Sequence, residues 1–333
     1  MFGENRFMKQ GISVIICCYN SALRLPETLK YLALQQVSPD IDWELVIVNN
    51  ASVDNTVEVA KEEWEKYNLL QVGFNIVNQP IPGLNNAREK GAAAATFEFV
   101  IFCDDDNWLD KAYVANAYRI MDADNKIGAG GGQSTAVSNI DFPDWFDTYK
   151  NGYAIGKQAS QTRDTTRRLS VWGAGMVTRK SLYLKLFPAN YPSLLTDRKG
   201  NELCAGGDTE FVMRLIFAGY RLFYNETLIF KHFITNERLT IPYRDKLFRG
   251  FDESGLILIP YARQAEIALL PNAEIPLYFL KRLTKYLICK IKKMPHWDHL
   301  HEAMLIYHLT GVQLVKPNEV SKKVRAIYLQ FRK

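Results

Sequence analysis

Four short runs, each built on consecutive apolar residues, do most to restrict what this chain can fold into. They are "ISVIICCYN" (12–20), "WELVIVNN" (43–50), "FNIVNQ" (74–79) and "FEFVIFCDDD" (97–106). Between them lie segments with helical patterning. "LRLPETLKYLALQQ" (23–36) carries Leu25, Leu29 and Leu32 at helical spacing with Pro26 near its start, a position that suits proline. "ASVDNTVEVAKEEWEKY" opens with cap-type residues, and "GLNNAREKGAAAA" opens on glycine. Strand and helix alternate, and the strands do not alternate apolar with polar residues. That is the pattern of a parallel sheet covered on both faces. The first hundred or so residues are therefore expected to form an α/β doubly wound unit.

In such sheets ligands sit outside the carboxyl ends of the strands. Polar residues collect there: Tyr19 and Asn20 after the first run, Asn49 and Asn50 after the second, and Asp104, Asp105 and Asp106 after the fourth. One crevice is expected to receive them all. Further along, "GAGGGQS" (128–134) reads as a flexible Gly-rich segment. "LSVWGAGMVTRKSLYLKL" (169–186) reads as a strand, a Gly turn and a helix. "LCAGGDTEFVMRLIFAGYRLFYN" (203–225) reads as an acidic helix start, a helix with Phe211, Leu215 and Ile216 inward, a stop at Gly219 and another strand. The last ninety or so residues read as mainly helical.

Composition narrows the function. With 41 basic and 36 acidic residues the net charge is +5, too mild to argue for nucleic acid. The five cysteines are odd in number and lack framework or metal-ligand spacing; a reducing compartment, the cytoplasm, fits best. The opening "MFGENRFMKQG" lacks a signal-peptide pattern. No apolar run reaches the length of about 18 residues needed to span a bilayer.

Three readings of the aspartates stand. They form a solvated turn or N-cap for a following helix. They hold a hard divalent cation, which carboxylate oxygens suit, with substrate phosphates completing the shell. Or two of them do acid–base chemistry, which close like charges disfavour. A crevice at the end of a parallel sheet suits a nucleotide, and a cation there would neutralise a departing diphosphate.

Taken in order, five segments resemble the family 2 inverting glycosyltransferases of the GT-A fold: "SVIICCYNSALRLPETLKYLALQQ", "ELVIVNNASVDNT", "GLNNAREKGAAAATFEFVIFCDDDNWLD", "WGAGMVTRKSLY" and "GGDTEFVMRLIFAGYRLFYN". The resemblance covers about residues 10–235. It implies a GT-A (Rossmann-like), mostly parallel sheet flanked by helices, with a catalytic domain at 1–235 and a helical extension at 236–333. Within the domain, about 10–125 would form the nucleotide half and 126–235 the acceptor half.

The resemblance also implies roles. Asp104 and Asp106 would serve Mn²⁺ or Mg²⁺ and the sugar nucleotide, with Asp105 touching ribose or sugar. Tyr19 would pack on the base, Asn50 and Asp54 would line the base and ribose pocket, and Arg88 would sit near the nucleotide. Asp208 would be the general base. Trp172 and Gly173 would meet the acceptor, Trp172 otherwise being core. His232 would approach the metal or diphosphate, or be a structural histidine; Arg238 would clamp phosphate or be a surface charge. Two departures stand out. The family usually has an acidic pair where this chain has Asn49 and Asn50, and a Glu where it has Gly207; Glu210 is a candidate substitute. Cys103 and Cys204 read as buried small residues.

The tail adds a second message. Residues 276–293 hold six basic residues and no acidic one. On a helical wheel Leu277, Leu280, Leu283, Leu287, Ile288 and Ile291 share a face, and Lys281, Arg282, Lys285, Lys292 and Lys293 share another. Such a helix either lies on an anionic membrane surface or packs on the domain with a solvated basic face.

The expected function is transfer of a sugar from a nucleoside diphosphate, UDP above the others, to a hydroxyl of a glycan or lipid-linked saccharide in surface polysaccharide synthesis, in the cytoplasm or at the inner membrane face. The alternatives are a non-catalytic binding module of the same fold, supported by the two departures, and a sugar nucleotidyltransferase. The latter wants a Gly-rich basic loop after the first strand, where "CCYNSALRLPE" has no glycine.

Overall fold

A computed structural model describes residues 11–195 and 205–332; the first ten residues and Cys204 lie outside that description. In chain order the elements are β1 (Gly11–Cys18), α1 (Leu25–Ala33), β2 (Asp42–Asn49), α2 (Thr56–Glu65), β3 (Gly73–Asn78), α3 (Leu84–Ala94), β4 (Phe99–Asp104), β5 (Asn107–Leu109), α4 (Tyr113–Ala123) and β6 (Ile127–Val137). There follow α5 (Phe146–Tyr149), β7 (Gly156–Lys157), β8 (Arg163–Asp164), β9 (Met176–Arg179), α6 (Lys180–Leu186), α7 (Gly207–Phe217), β10 (Arg221–Phe233), α8 (Ile241–Ala268), α9 (Ile275–Ile291), α10 (His296–Thr310) and α11 (Glu319–Phe331).

One mixed sheet runs in the order β3-β2-β1-β4-β9-β6-β10-β5, with β7 on β6 and β8 on β10. The β1–β2, β2–β3, β1–β4 and β6–β10 pairs are parallel, while β9 runs antiparallel to both its neighbours. Ile12, Val14, Ile16 and Cys18 of β1 join one core with residues of α1, α2 and α4. Ile15 joins another with residues of α3, α6, α7, α8 and α11. Burial on both faces is why β1 is apolar without a break from Val14 to Ile16 and β2 from Leu45 to Val48.

Three local expectations need correction. The glycines of 128–134 are not a flexible segment: they lie in β6 and are largely buried. Close approach explains them, since a Cβ at Gly132 would sit 1.7 Å from the Leu228 carbonyl oxygen and one at Gly131 would sit 2.6 Å from Val171. In 169–186 the strand follows the Gly turn rather than preceding it. Finally, the aspartates do not cap the next helix: β5 intervenes, and Ala112 occupies the N-cap of α4.

Candidate active site

Register brings the polar strand ends together. Cys17 of β1 lies opposite Asp104 of β4, and Cys18 opposite Asn49 of β2. The chain reverses its direction of growth between β1 and β4, which is the switch point where a crevice opens. Because β9 is antiparallel, its first residue Met176 pairs with Phe102 near the end of β4, and the Trp172–Gly173 loop arrives at the same place. β5 pairs with β10 so that His232 lies opposite Asn107, beside the aspartates. A cavity of about 700 Å³ results, lined by Tyr19, Arg88, Asp104, Asp208 and His232 among others. Tyr19 keeps 45% of its surface exposed at this cavity.

Asp105 and Asp106 are paired rather than solvated. Asp105 Oδ2 accepts from Arg24 Nη2 at 2.6 Å and Nε at 3.1 Å. Burial pushes the Asp105 carboxyl up; Arg24 lowers it and the Asp106 charge raises it, leaving it above its ordinary value. Asp106 Oδ2 accepts from Arg238 Nη1 at 2.8 Å, and Oδ1 accepts from Asn107 Nδ2 at 3.1 Å and faces His232 Nε2 at 3.3 Å. Burial raises the Asp106 carboxyl too, but His232, Arg238 and Arg24 outweigh it and hold the group well below the carboxylate range. Arg238 is thus not a free surface charge: it is partly buried, lines the cavity and rests against the Tyr153 and Tyr243 rings.

Among the described residues no group of three or more His, Cys, Asp or Glu side chains is placed to hold a metal ion. Two features still suit a divalent cation. Asp106 and His232 stand side by side, and His232 Nδ1 is buried without a hydrogen-bond partner. Carboxylate and imidazole are fitting donors, and Mg²⁺ sites commonly use one or two carboxylates and take the rest of the shell from substrate phosphates.

Asp208 lies in the first turn of α7. Its Oδ2 accepts from the Gly173 backbone N–H at 2.7 Å, and its Oδ1 accepts from the Thr209 N–H at 2.7 Å. A Cβ at Gly173 would lie 2.6 Å from Arg88 Nη2 and 3.1 Å from Asp208 Oδ2, so a side chain here would displace one or both of these groups. Arg88 is buried with its guanidinium over the Phe102 ring. Trp172 is half-buried on the cavity wall rather than in the core; Arg168 stacks over it, and its N–H donates to Gln158 Oε1.

Other residues sit differently from the expectation. Asn50 lines the cavity, but its Nδ2 donates to the Gln79 and Ile81 carbonyls at 3.0 and 2.7 Å, and its Oδ1 accepts from the Gly83 N–H at 2.9 Å. Its amide staples the 79–83 loop. A carboxylate could not donate to those carbonyls, which accounts for asparagine here. Asp54 is outside the cavity lining: it accepts from the Thr56 and Ala22 N–H groups and ties the 20–22 turn to the start of α2. Glu210 does not stand in for the missing Glu. It is fully buried away from the cavity, where it accepts from Arg214, Tyr261, Ser193 and the Leu194 and Leu195 N–H groups.

Sequence reasoning missed Arg24 as a site residue, and also the α8 wall of Phe248, Phe251, Ser254 and Leu258. The only signal for Arg24 was a lone arginine among the apolar residues after β1. The α8 aromatics carry no local signal, because their role depends on where a distant helix packs.

A family model described as Glycosyl transferase family 2 matches residues 13–187. A cholesterol galactosyltransferase of Borreliella burgdorferi is 32% identical over 122 residues, covering 37% of this chain and 32% of that protein. Glycosyltransferase AglE of Haloferax volcanii is 23% identical over 226 residues, 66% of each chain. The chain spans a third or less of the length of the first curated relatives it matches. Among solved structures, S. aureus TarS 1-349 in complex with UDP-GlcNAc has a TM-score of 0.51 at 16% identity, covering 97% of this chain and 91% of that one. Mannosyltransferase PcManGT from Pyrobaculum calidifontis, in complex with GDP-Man and Mn²⁺, has a TM-score of 0.50 at 18% identity, covering 96% and 84%. These likenesses are of fold, and the fold is GT-A.

Proposed function

We propose, given that this chain belongs to glycosyl transferase family 2, that it moves a sugar from a nucleoside diphosphate donor to a hydroxyl of a glycan or lipid-linked saccharide, with inversion at the anomeric carbon. One observation carries the reading: Asp208 lines the same cavity as Asp104, Asp105 and Asp106. A base on one side and a leaving-group clamp on the other are what a single in-line displacement needs.

In this account Asp208 takes the proton of the acceptor hydroxyl as its oxygen bonds to the anomeric carbon. The bond from that carbon to the diphosphate oxygen breaks, and the electron pair leaves with the nucleoside diphosphate. Gly173 N–H and Thr209 N–H orient the Asp208 carboxylate. Tyr19 offers a ring for the base, and Asn50 holds the 79–83 loop beside it. Arg88 stands by the nucleotide. Asp106 and His232 would offer the protein's donors to Mn²⁺ or Mg²⁺, with donor phosphates filling the rest of the shell, and the ion when bound would neutralise the departing diphosphate; Asp104, on the same cavity, would serve the sugar nucleotide. Trp172 and Gly173 would border the acceptor. The proposed donor is a UDP-sugar and the proposed setting surface polysaccharide synthesis. The two structural neighbours were solved with UDP-GlcNAc and GDP-Man, so the fold itself does not choose the base.

A thermal-shift screen tests this. UDP-, GDP-, CDP- and dTDP-sugars are each added with Mn²⁺, Mg²⁺ or EDTA; a ligand that binds only the native state raises Tm. One nucleotide class is expected to stabilise the protein in a metal-dependent way. No shift with any donor overturns the reading.

A further inference from the structure

We propose that the outward face of α9 is a docking surface for an anionic lipid bilayer. The structure divides this helix differently from the wheel. Tyr278, Phe279, Leu283, Tyr286 and Cys289 turn toward α10, and the helix is latched there by Arg282 and Lys285, which both reach the fully buried Glu302 at 3.3 and 2.7 Å. A helix packed this way should keep its remaining face polar. Instead Leu277, Leu280, Leu287, Ile288 and Ile291 point to solvent; Leu277 is 70% and Ile291 80% exposed. At about 100° per residue these five side chains cover a continuous arc, interrupted only by Thr284.

Basic side chains border that arc. Lys281 and Lys292 follow it directly on the wheel, and Lys281, Lys292 and Lys293 have no ion-pair partner among the described residues. Residues 275–297 contain no Asp or Glu. Trp297, at the start of α10, is also 76% exposed, and tryptophan suits the headgroup level of a bilayer. An apolar stripe with lysines along one edge matches a helix lying in the plane of an anionic interface. A second copy of this chain fits less well, since an isologous contact would double the positive charge with no acidic counterpart. No described helix is long and apolar enough to cross a membrane.

The proposal does not depend on the catalytic reading, because lipid binding is measured without donor or acceptor. One consequence does rest on that reading. α8 walls the cavity with Phe248 and Phe251 and packs on α10, so a bilayer held by α9 keeps a fixed place relative to Asp208.

Vesicle flotation of the full chain tests the proposal, with phosphatidylcholine vesicles alone or containing phosphatidylglycerol, at low and high salt. The protein is expected to float with the anionic vesicles at low salt and to remain behind with the neutral ones. Leu280→Gln/Leu287→Gln/Ile291→Gln should abolish flotation at unchanged Tm, as should the milder Leu277→Gln/Ile291→Gln. Lys281→Gln/Lys292→Gln/Lys293→Gln should weaken binding by roughly five-fold per lysine. The proposal is overturned if the wild type does not float or if the apolar variants float like it. It is equally overturned if size-exclusion shows an oligomer that the apolar variants dissociate.

Discussion

The backbone N–H of Gly173 donates to Oδ2 of Asp208 at 2.7 Å across a gap of 35 residues in sequence. The bond fixes the carboxylate in the cavity, and the lack of a side chain at residue 173 leaves the space that Asp208 and Arg88 border.

Gly173→Ala should therefore harm chemistry more than folding. The added methyl would crowd Arg88 Nη2 and Asp208 Oδ2. A displacement on the order of 1 Å lowers kcat by about 10²-fold, and because Arg88 is crowded as well the donor-induced thermal shift should shrink without disappearing. Steady-state donor turnover checks this; an unchanged kcat would show that the contact does not orient the base.

Asn50→Asp, which restores the residue usual in the family, should make this protein worse. The carboxylate cannot donate to the Gln79 and Ile81 carbonyls that Asn50 Nδ2 now satisfies. Losing such part-buried hydrogen bonds costs about 0.5–1.5 kcal/mol each. Chemical denaturation should show that loss, together with weaker donor affinity as the 79–83 loop loosens.

Glu210→Ala should act on stability alone. Glu210 and Arg214 are a fully buried pair at 2.7 Å, and removing one partner of such a pair costs about 3–5 kcal/mol. Urea unfolding should register the loss. Donor affinity of the folded protein should stay at the wild-type value, because Glu210 does not line the cavity.

The C-terminal helices carry a pH dependence. His308 is buried, and burial, followed by the charges of Arg263 and Arg325, lowers its pKa from 6.5 to about 4. Its Nδ1 lies 2.9 Å from Gln264 Oε1. The folded protein keeps this imidazole neutral while the unfolded chain protonates it first as pH falls. Stability contributed by His308 is complete above about pH 6.5 and is lost toward pH 4, by about 3 kcal/mol. His308→Gln should flatten that segment of the stability–pH curve.

How far the sequence reaches depends on whether a signal is local. The apolar runs that became β1, β2 and β4 are legible because burial on both faces leaves its mark on every residue. Strand ends are legible too, so Tyr19 and Asp104 were expected to share a crevice. The β6 glycines were misread, because the reason for them is the approach of Leu228 from a strand about a hundred residues away. Arg24 and Arg238 look like any arginines until β1 and β10 bring them to the aspartates. Asn50 looked like a ligand because its partners, the Gln79 and Ile81 carbonyls, are backbone atoms that no side-chain pattern announces. On α9 the wheel identified amphipathic character but put Leu283 on one face with Leu277, Leu280, Leu287, Ile288 and Ile291; packing against α10 turns Leu283 inward while the other five stay exposed.

The most direct test of the central claim follows the anomeric proton by NMR during slow donor hydrolysis, with water taking the acceptor's place, for the wild type and Asp208→Asn. The donor is the sugar nucleotide that stabilises the protein most. The account expects the wild type to release sugar of inverted configuration. It expects Asp208→Asn to bind donor equally well, by thermal shift, and release almost none. Release with retained configuration, or release by Asp208→Asn at the wild-type rate, would contradict it.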